Sequence, residues 1–174
     1  MLILNNSVIS AFCELKKLQL LKKIIYSIGD KAAVPTSVRA EIIYPEALEA
    51  ICITSEEYSN KKWILLLDHK DLKKYASDRG IHEGEAAVLY LAEKQKATAV
   101  LDDFKAREIA RKGNIKLTGT IGLLRIGYQE CPISTKKELT QIIDKLKSLH
   151  FYIPRDAEEY LLQAKKQPSN SPRK

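Results

Sequence analysis

Short, mostly apolar runs of strand length recur along this chain, at Leu2–Leu4, Ala32–Val34, Trp63–Leu67, Thr98–Leu101 and Ile115–Leu117, with helix-like segments between them. Strand, helix and strand in alternation restrict the chain to a parallel sheet, because parallel neighbours need a crossover that lays helices over the faces. Runs that are apolar throughout, rather than at every second residue, belong to strands buried on both sides. The expected class is α/β, a three-layer α/β/α architecture with a central parallel sheet. At 174 residues, 45% of them hydrophobic, the chain is long enough for one domain with a sizeable core.

The local signals divide the chain further. Asn5, Asn6 and Ser7 read as turn and cap residues before a helix over Val8–Lys17, and a second helix covers Leu18–Ile28. Gly29-Asp30 breaks it. Thr36 or Ser37 is expected to cap a helix through Val38, Ile42 and Ile43, with Glu41 on it. Residues 45–60 show no clear period beyond a short helical piece near Ala47–Ala50. Helices are expected over Asp71–Ser77, Glu83–Lys96 and Phe104–Lys112, the last closed by Gly113, and again over Thr135–Ser148 and Arg155–Lys165. Thr118 or Thr120 is expected to cap the helix that follows the last strand. The domain is expected to span residues 1–153, with a C-terminal helix at 154–166 packed on or beside it and a disordered polar tail, QPSNSPRK, at 167–174.

Several function classes fall away at this stage. The longest uncharged runs are well short of the roughly 18 apolar residues of a membrane span. No basic segment precedes an apolar run at the start, so a soluble, cytoplasmic chain with no cleaved leader and no membrane partner is expected. Cys13, Cys52 and Cys131 are odd in number and far apart, which fits neither a disulfide framework nor a zinc site, and all three are read as buried thiols. His69, His82 and His150 are scattered and are read as surface or packing residues.

The chain carries a formal charge of +7, and the charge is uneven. Residues 1–103 hold 14 Lys and Arg against 15 Asp and Glu, whereas residues 104–174 hold 15 against 7. A basic half joined to an acid-bearing half suits an enzyme acting on nucleic acid, because Lys and Arg supply phosphate affinity that does not depend on sequence. Acids or amides fall where elements begin or end: Asn5 after the first strand, Glu41 on the third helix, Glu85 in the first turn of another, and Asp102-Asp103 after a later strand. In open parallel sheets ligands collect beyond the carboxyl ends of the strands. Taken singly, an acid at a helix start is explained by the helix dipole.

In this order the residues closely resemble the PIN-domain nucleases, especially the toxin-like (VapC-type) PIN proteins of bacteria and archaea. Asn5-Asn6-Ser7 stands where that family writes Asp-Thr-Ser, and Pro35-Thr36-Ser37-Val38-Arg39-Ala40-Glu41 resembles its strand-to-helix segment ending in an essential Glu. Gly84-Glu85-Ala86-Ala87 is similar to the opening of its central helix, and Leu101-Asp102-Asp103 to the acid pair before a basic helix. Gly119-Thr120-Ile121-Gly122-Leu123-Leu124 is similar to a run found in one toxin-like subfamily. The resemblance implies a metal-dependent endoribonuclease with Mg²⁺ or Mn²⁺ held by Asn5, Glu41, Glu85, Asp102 and Asp103, of which Glu41, Glu85 and Asp103 would be catalytic. It implies RNA as substrate, with Lys105, Arg107, Arg111, Thr118 and Thr120 as contacts, and also a homodimer and a small antitoxin partner. Asn5 departs from the pattern: an amide oxygen coordinates without adding charge, which lowers metal affinity. The alternative is a catalytically degenerate PIN fold acting as an RNA-binding or protein-interaction module.

Overall fold

The computed structural model describes residues 1–164. The tail expected at 167–174 and the end of the helix expected at 155–165 lie outside the described residues.

Six strands form one all-parallel sheet: β1 (Leu2–Leu4), β2 (Ala32–Pro35), β3 (Ile51–Cys52), β4 (Ile64–Leu67), β5 (Thr98–Val100) and β6 (Leu117–Thr118), in spatial order β3-β4-β2-β1-β5-β6. The helices are α1 (Asn6–Glu14), α2 (Leu18–Ser27), α3 (Thr36–Glu41), α4 (Pro45–Glu49), α5 (Lys73–Arg79), α6 (Glu83–Lys94), α7 (Phe104–Lys112), α8 (Thr120–Gln129), α9 (Lys136–Ser148) and α10 (Ala157–Leu162). This is the three-layer α/β/α arrangement the alternation implies. Helix α6 lies over β1, β2 and β5 with α7 beside it, while α2 packs on both α1 and α8. β1, β2 and β5 contribute side chains that are almost entirely buried, and Phe12, Ile24, Ile25, Trp63, Leu89 and Leu91 fill the space between sheet and helices. Helix α10 packs against α8 and α9, with Leu161 buried and the Arg125 guanidinium over the Tyr160 ring. Among the described residues, no helix is long and apolar enough to cross a membrane.

The chain order explains where a site can form. From β1 it moves outward through β2 to β3 at the edge, comes back to β4 between them, then crosses the sheet to β5 and continues to β6 on the other side. The direction of winding reverses between β1 and β5, and at such a switch point the loops leaving the two strands diverge and open a crevice. Asn5 leaves β1 there, its N–H donating to the Val100 carbonyl (3.1 Å), and Asp102 and Asp103 leave β5.

Several boundaries differ from the sequence expectation, each for a local reason. Helix α1 begins at Asn6 and α3 at Thr36, so Pro35 rather than Thr36 or Ser37 occupies the cap position. Helix α3 stops at Glu41 because Ile42 turns extended; Ile42 is buried and Ile43 is thrown out to 79% exposure before Pro45 opens α4. The last strand begins at Leu117, not Ile115, because the Ile115 N–H still closes α7 on the Ala110 carbonyl (2.9 Å); Gly113 is the C-cap of α7 as expected, and Asn114 after it takes the left-handed turn (φ 53°). Gly119 holds the cap position of α8, with Thr118 inside β6 and Thr120 already in the helix. Cys13 and Cys52 are buried, but Cys131 is exposed on a left-handed turn (φ 72°), which corrects the reading of three buried thiols.

Candidate functional site

The site is built at the carboxyl edge of the sheet, where three of its acids already serve helix ends. Asp103 is the cap residue of α7 and its Oδ1 accepts from the Ala106 N–H (2.7 Å). Glu85 reaches back to accept from the His82 N–H (2.9 Å), closing a capping box at the start of α6. Asp102 is committed more fully: Oδ1 accepts from the Thr120 N–H (2.8 Å) and Oδ2 from the Thr120 hydroxyl (2.6 Å), so it caps α8 from a distant part of the chain. Gly119, at the cap position itself, has no side chain to do so, and a Cβ there would lie 2.5 Å from Asp102 Oδ1. The dipole explanation of these acids is therefore part of what they do.

For Asp103 and Glu85 that duty occupies one carboxylate oxygen and leaves the other. Among the described residues, the Glu41 carboxylate has no hydrogen-bond partner. Glu41 sits at the end of α3 against α6, so close to Gly84 that a Cβ there would lie 2.6 Å from its Oε1. Burial is the main cause that lifts the Glu41 carboxyl above its ordinary value; the nearby His82 opposes this, and Glu85 and Glu83 reinforce it. Glu85, only 7% exposed, is raised first by burial and further by Asp103, against the pull of the His82 N–H. Glu85 is thus repelled by Asp103, and Glu41 by Glu85, across three separate elements. That is an unfavourable arrangement which a cation relieves.

Two buried side-chain oxygens at the start of α1, just beyond β1, have no partner. Asn5 is 6% exposed, and both its Oδ1 and the Ser7 hydroxyl oxygen are buried without a hydrogen bond. A buried polar atom left unpaired costs about 1–3 kcal/mol. Asn5 also stands at the cap position of α1 without using its side chain for capping. An amide oxygen, a hydroxyl and carboxylates are hard oxygen donors, the set that suits Mg²⁺ or Mn²⁺ rather than zinc or copper. Among the described residues no three His, Cys, Asp or Glu side chains converge into a ready metal cage. An ion such as Mg²⁺ needs no such cage, because it keeps several waters and takes one or two carboxylates. Asp102, with both oxygens engaged, stands apart from this set.

The expected nucleic-acid contacts also separate. Arg107 turns inward: its Nη1 donates to the Leu101 carbonyl (2.8 Å) and the Thr118 carbonyl (3.1 Å), tying the ends of β5 and β6 together. Burial, then Arg111, lowers its pKa from the ordinary guanidinium value. Thr120 is buried on Asp102, and a Cβ at Gly122 would collide with the Thr118 hydroxyl. Lys105 and Arg111 are exposed, and the Lys105 ammonium lies over Gly80 in the turn before α6. Sequence reasoning named Ser7 only as a turn and cap residue and His69 only as a surface or packing residue, and passed over Phe104. Phe104, next to Asp103, is 72% exposed, and its position at the first turn of a basic helix beside the acids was the available signal. His69 had no such signal.

The sequence matches a family model described as a PIN domain over residues 1–167. No curated protein and no solved structure gives a match.

Proposed function

From the premise that the chain belongs to the PIN-domain family, whose members are generally nucleases, we propose that it is a metal-dependent endoribonuclease hydrolysing RNA phosphodiester bonds. The observation that supports the reading is the buried, unpartnered Asn5 Oδ1 at the end of β1, with Asp103 leaving the neighbouring β5 and Glu85 near enough to Asp103 and to Glu41 for their charges to act on one another. Glu41, Glu85 and Asp103, with Asn5 beside them, would hold Mg²⁺ or Mn²⁺. When bound, such an ion supplies Lewis-acid polarisation of a phosphoryl oxygen and a water acidic enough to attack at neutral pH.

The chain's own residues do the remaining work. Capping fixes Glu85 and Asp103 so that each presents one free oxygen from a rigid helix start. Burial of Glu85 lowers the dielectric around its carboxylate and strengthens its interaction with a charged group placed beside it. Lys105 and Arg111 on α7 meet phosphates, and the exposed Phe104 ring offers a face on which an unpaired base can stack, which favours single-stranded RNA. In the same reading the protein is a cytoplasmic toxin of a toxin-antitoxin pair, a homodimer held in check by a small antitoxin protein.

Asn5 favours a second reading, a degenerate fold that binds RNA or protein without cleaving, since it removes one negative oxygen from the centre of the site. Cleavage of a mixed single-stranded RNA panel with Mn²⁺ or Mg²⁺ separates the two. We expect cleavage by the chain as it stands, faster turnover by Asn5→Asp, and loss in Asp103→Asn, which keeps the cap on α7 while removing the charge. Cleavage by Asn5→Asp alone would establish the second reading, and no cleavage by any of the three would end the first.

A further inference from the structure

We propose that His69 is a positioning residue for Glu41: it caps α3 from the segment after β4 and so fixes the carboxylate at that helix's far end. The inference rests on the reading of Glu41 given above. Helix α3 has six residues, far fewer than an isolated helix needs to hold its shape. Its cap position is Pro35, which has no side-chain acceptor, so the first-turn N–H groups need a partner from elsewhere.

His69 supplies it. Its Nε2 lies 2.9 Å from the Ser37 hydroxyl oxygen and 3.3 Å from the Ser37 backbone nitrogen, while its Nδ1 lies 2.7 Å from the Lys70 carbonyl oxygen. A carbonyl only accepts, so Nδ1 carries the proton and Nε2 turns its lone pair toward Ser37. Sheet register brings the two residues together: β2 and β4 are parallel neighbours with Pro35 opposite Leu67, and Ser37 and His69 each stand two residues beyond. The His69 N–H donates in turn to Asp68 Oδ1 (2.9 Å), which also faces the Thr36 hydroxyl at 3.5 Å.

At its other end α3 rests on α6. Val38, the one buried residue of α3, and Glu41 both press on Gly84, where a Cβ would lie 3.2 Å from Val38 Cγ2 and 2.6 Å from Glu41 Oε1. A short helix with one buried side chain can pivot about that contact. The Ser37–His69 bonds stop the pivot, so the direction of the Glu41 carboxylate depends on an imidazole from another element.

The test uses the full chain and Mn²⁺ alone as probe, with binding followed by the spin resonance of free Mn²⁺ and the α3 amides followed by hydrogen exchange. His69→Ala is expected to weaken Mn²⁺ binding about tenfold and to speed exchange in α3. His69→Gln, whose amide oxygen reaches the place of Nε2, is expected to restore most of both. Unchanged binding in His69→Ala would overturn the proposal, as would a His69→Gln variant no better than His69→Ala. If the unaltered chain binds no Mn²⁺, the reading of Glu41 fails, and the cap is then judged on exchange alone: unchanged exchange in His69→Ala overturns it.

Discussion

Glu41 is the residue at which fold and proposed chemistry pull in opposite directions. Its carboxyl is raised by burial and by Glu85 and Glu83, only partly offset by His82, so the native state holds its proton more tightly than the unfolded chain does. The stability linked to such a group is present at low pH and is lost as pH rises through its folded value. Replacing it with the uncharged Gln removes that loss. Glu41→Gln is therefore expected to melt slightly higher than the unaltered chain in chelator at about pH 8, and level with it at about pH 4, below the ordinary carboxylate value. The gain should be about a degree or two, because the residue stays in touch with water and solvent screens its repulsion. Thermal unfolding at the two pH values checks this, and a lower melting point at the higher pH would mean that Glu41 has a stabilising partner.

The basic helix α7 is where the element scale corrects the residue scale. Arg107 and Arg111 are one turn apart and read alike in the sequence, yet Arg107 ties β5 to β6 through two carbonyls while Arg111 is exposed. Arg107→Ala is expected to cost about 2–3 kcal/mol of stability, since it removes two charge-assisted bonds and with them the side-chain tie between the ends of β5 and β6. Arg111→Ala should leave denaturant unfolding unchanged and reduce the salt dependence of RNA binding by about one phosphate contact. Equal stability of the two variants would refute the assignment of Arg107. The apolar runs at β1, β2, β4 and β5 and the helical pattern of α2, α6, α7 and α9 were legible because burial on both faces or on one stripe writes itself into consecutive residues. Strand β3 was not, since two residues, Ile51 and Cys52, carry no period. Nor were the caps: Asp102 serves α8 and His69 serves α3 across 18 and 32 positions of sequence, and no local pattern records a partner so far away.

For the whole molecule, the decisive feature is the reversal of winding between β1 and β5, which puts Asn5 and Asp103 beyond adjacent strand ends although 98 positions separate them, with Glu85 near both Asp103 and Glu41. The sequence placed acids at element ends and the family resemblance put them in order. What it did not disclose is the division of labour among them, with Asp102 spent on Thr120 and Asn5 Oδ1 left without a partner. The central claim is that this edge holds a divalent cation, and the most direct test is anomalous scattering from crystals soaked in Mn²⁺. The account predicts a peak at bonding distance from at least two of Glu41, Glu85 and Asp103, with Asn5 Oδ1 or a water on it completing the shell. A Mn²⁺ peak bound only elsewhere, or none at this edge with the ion in excess, would contradict it.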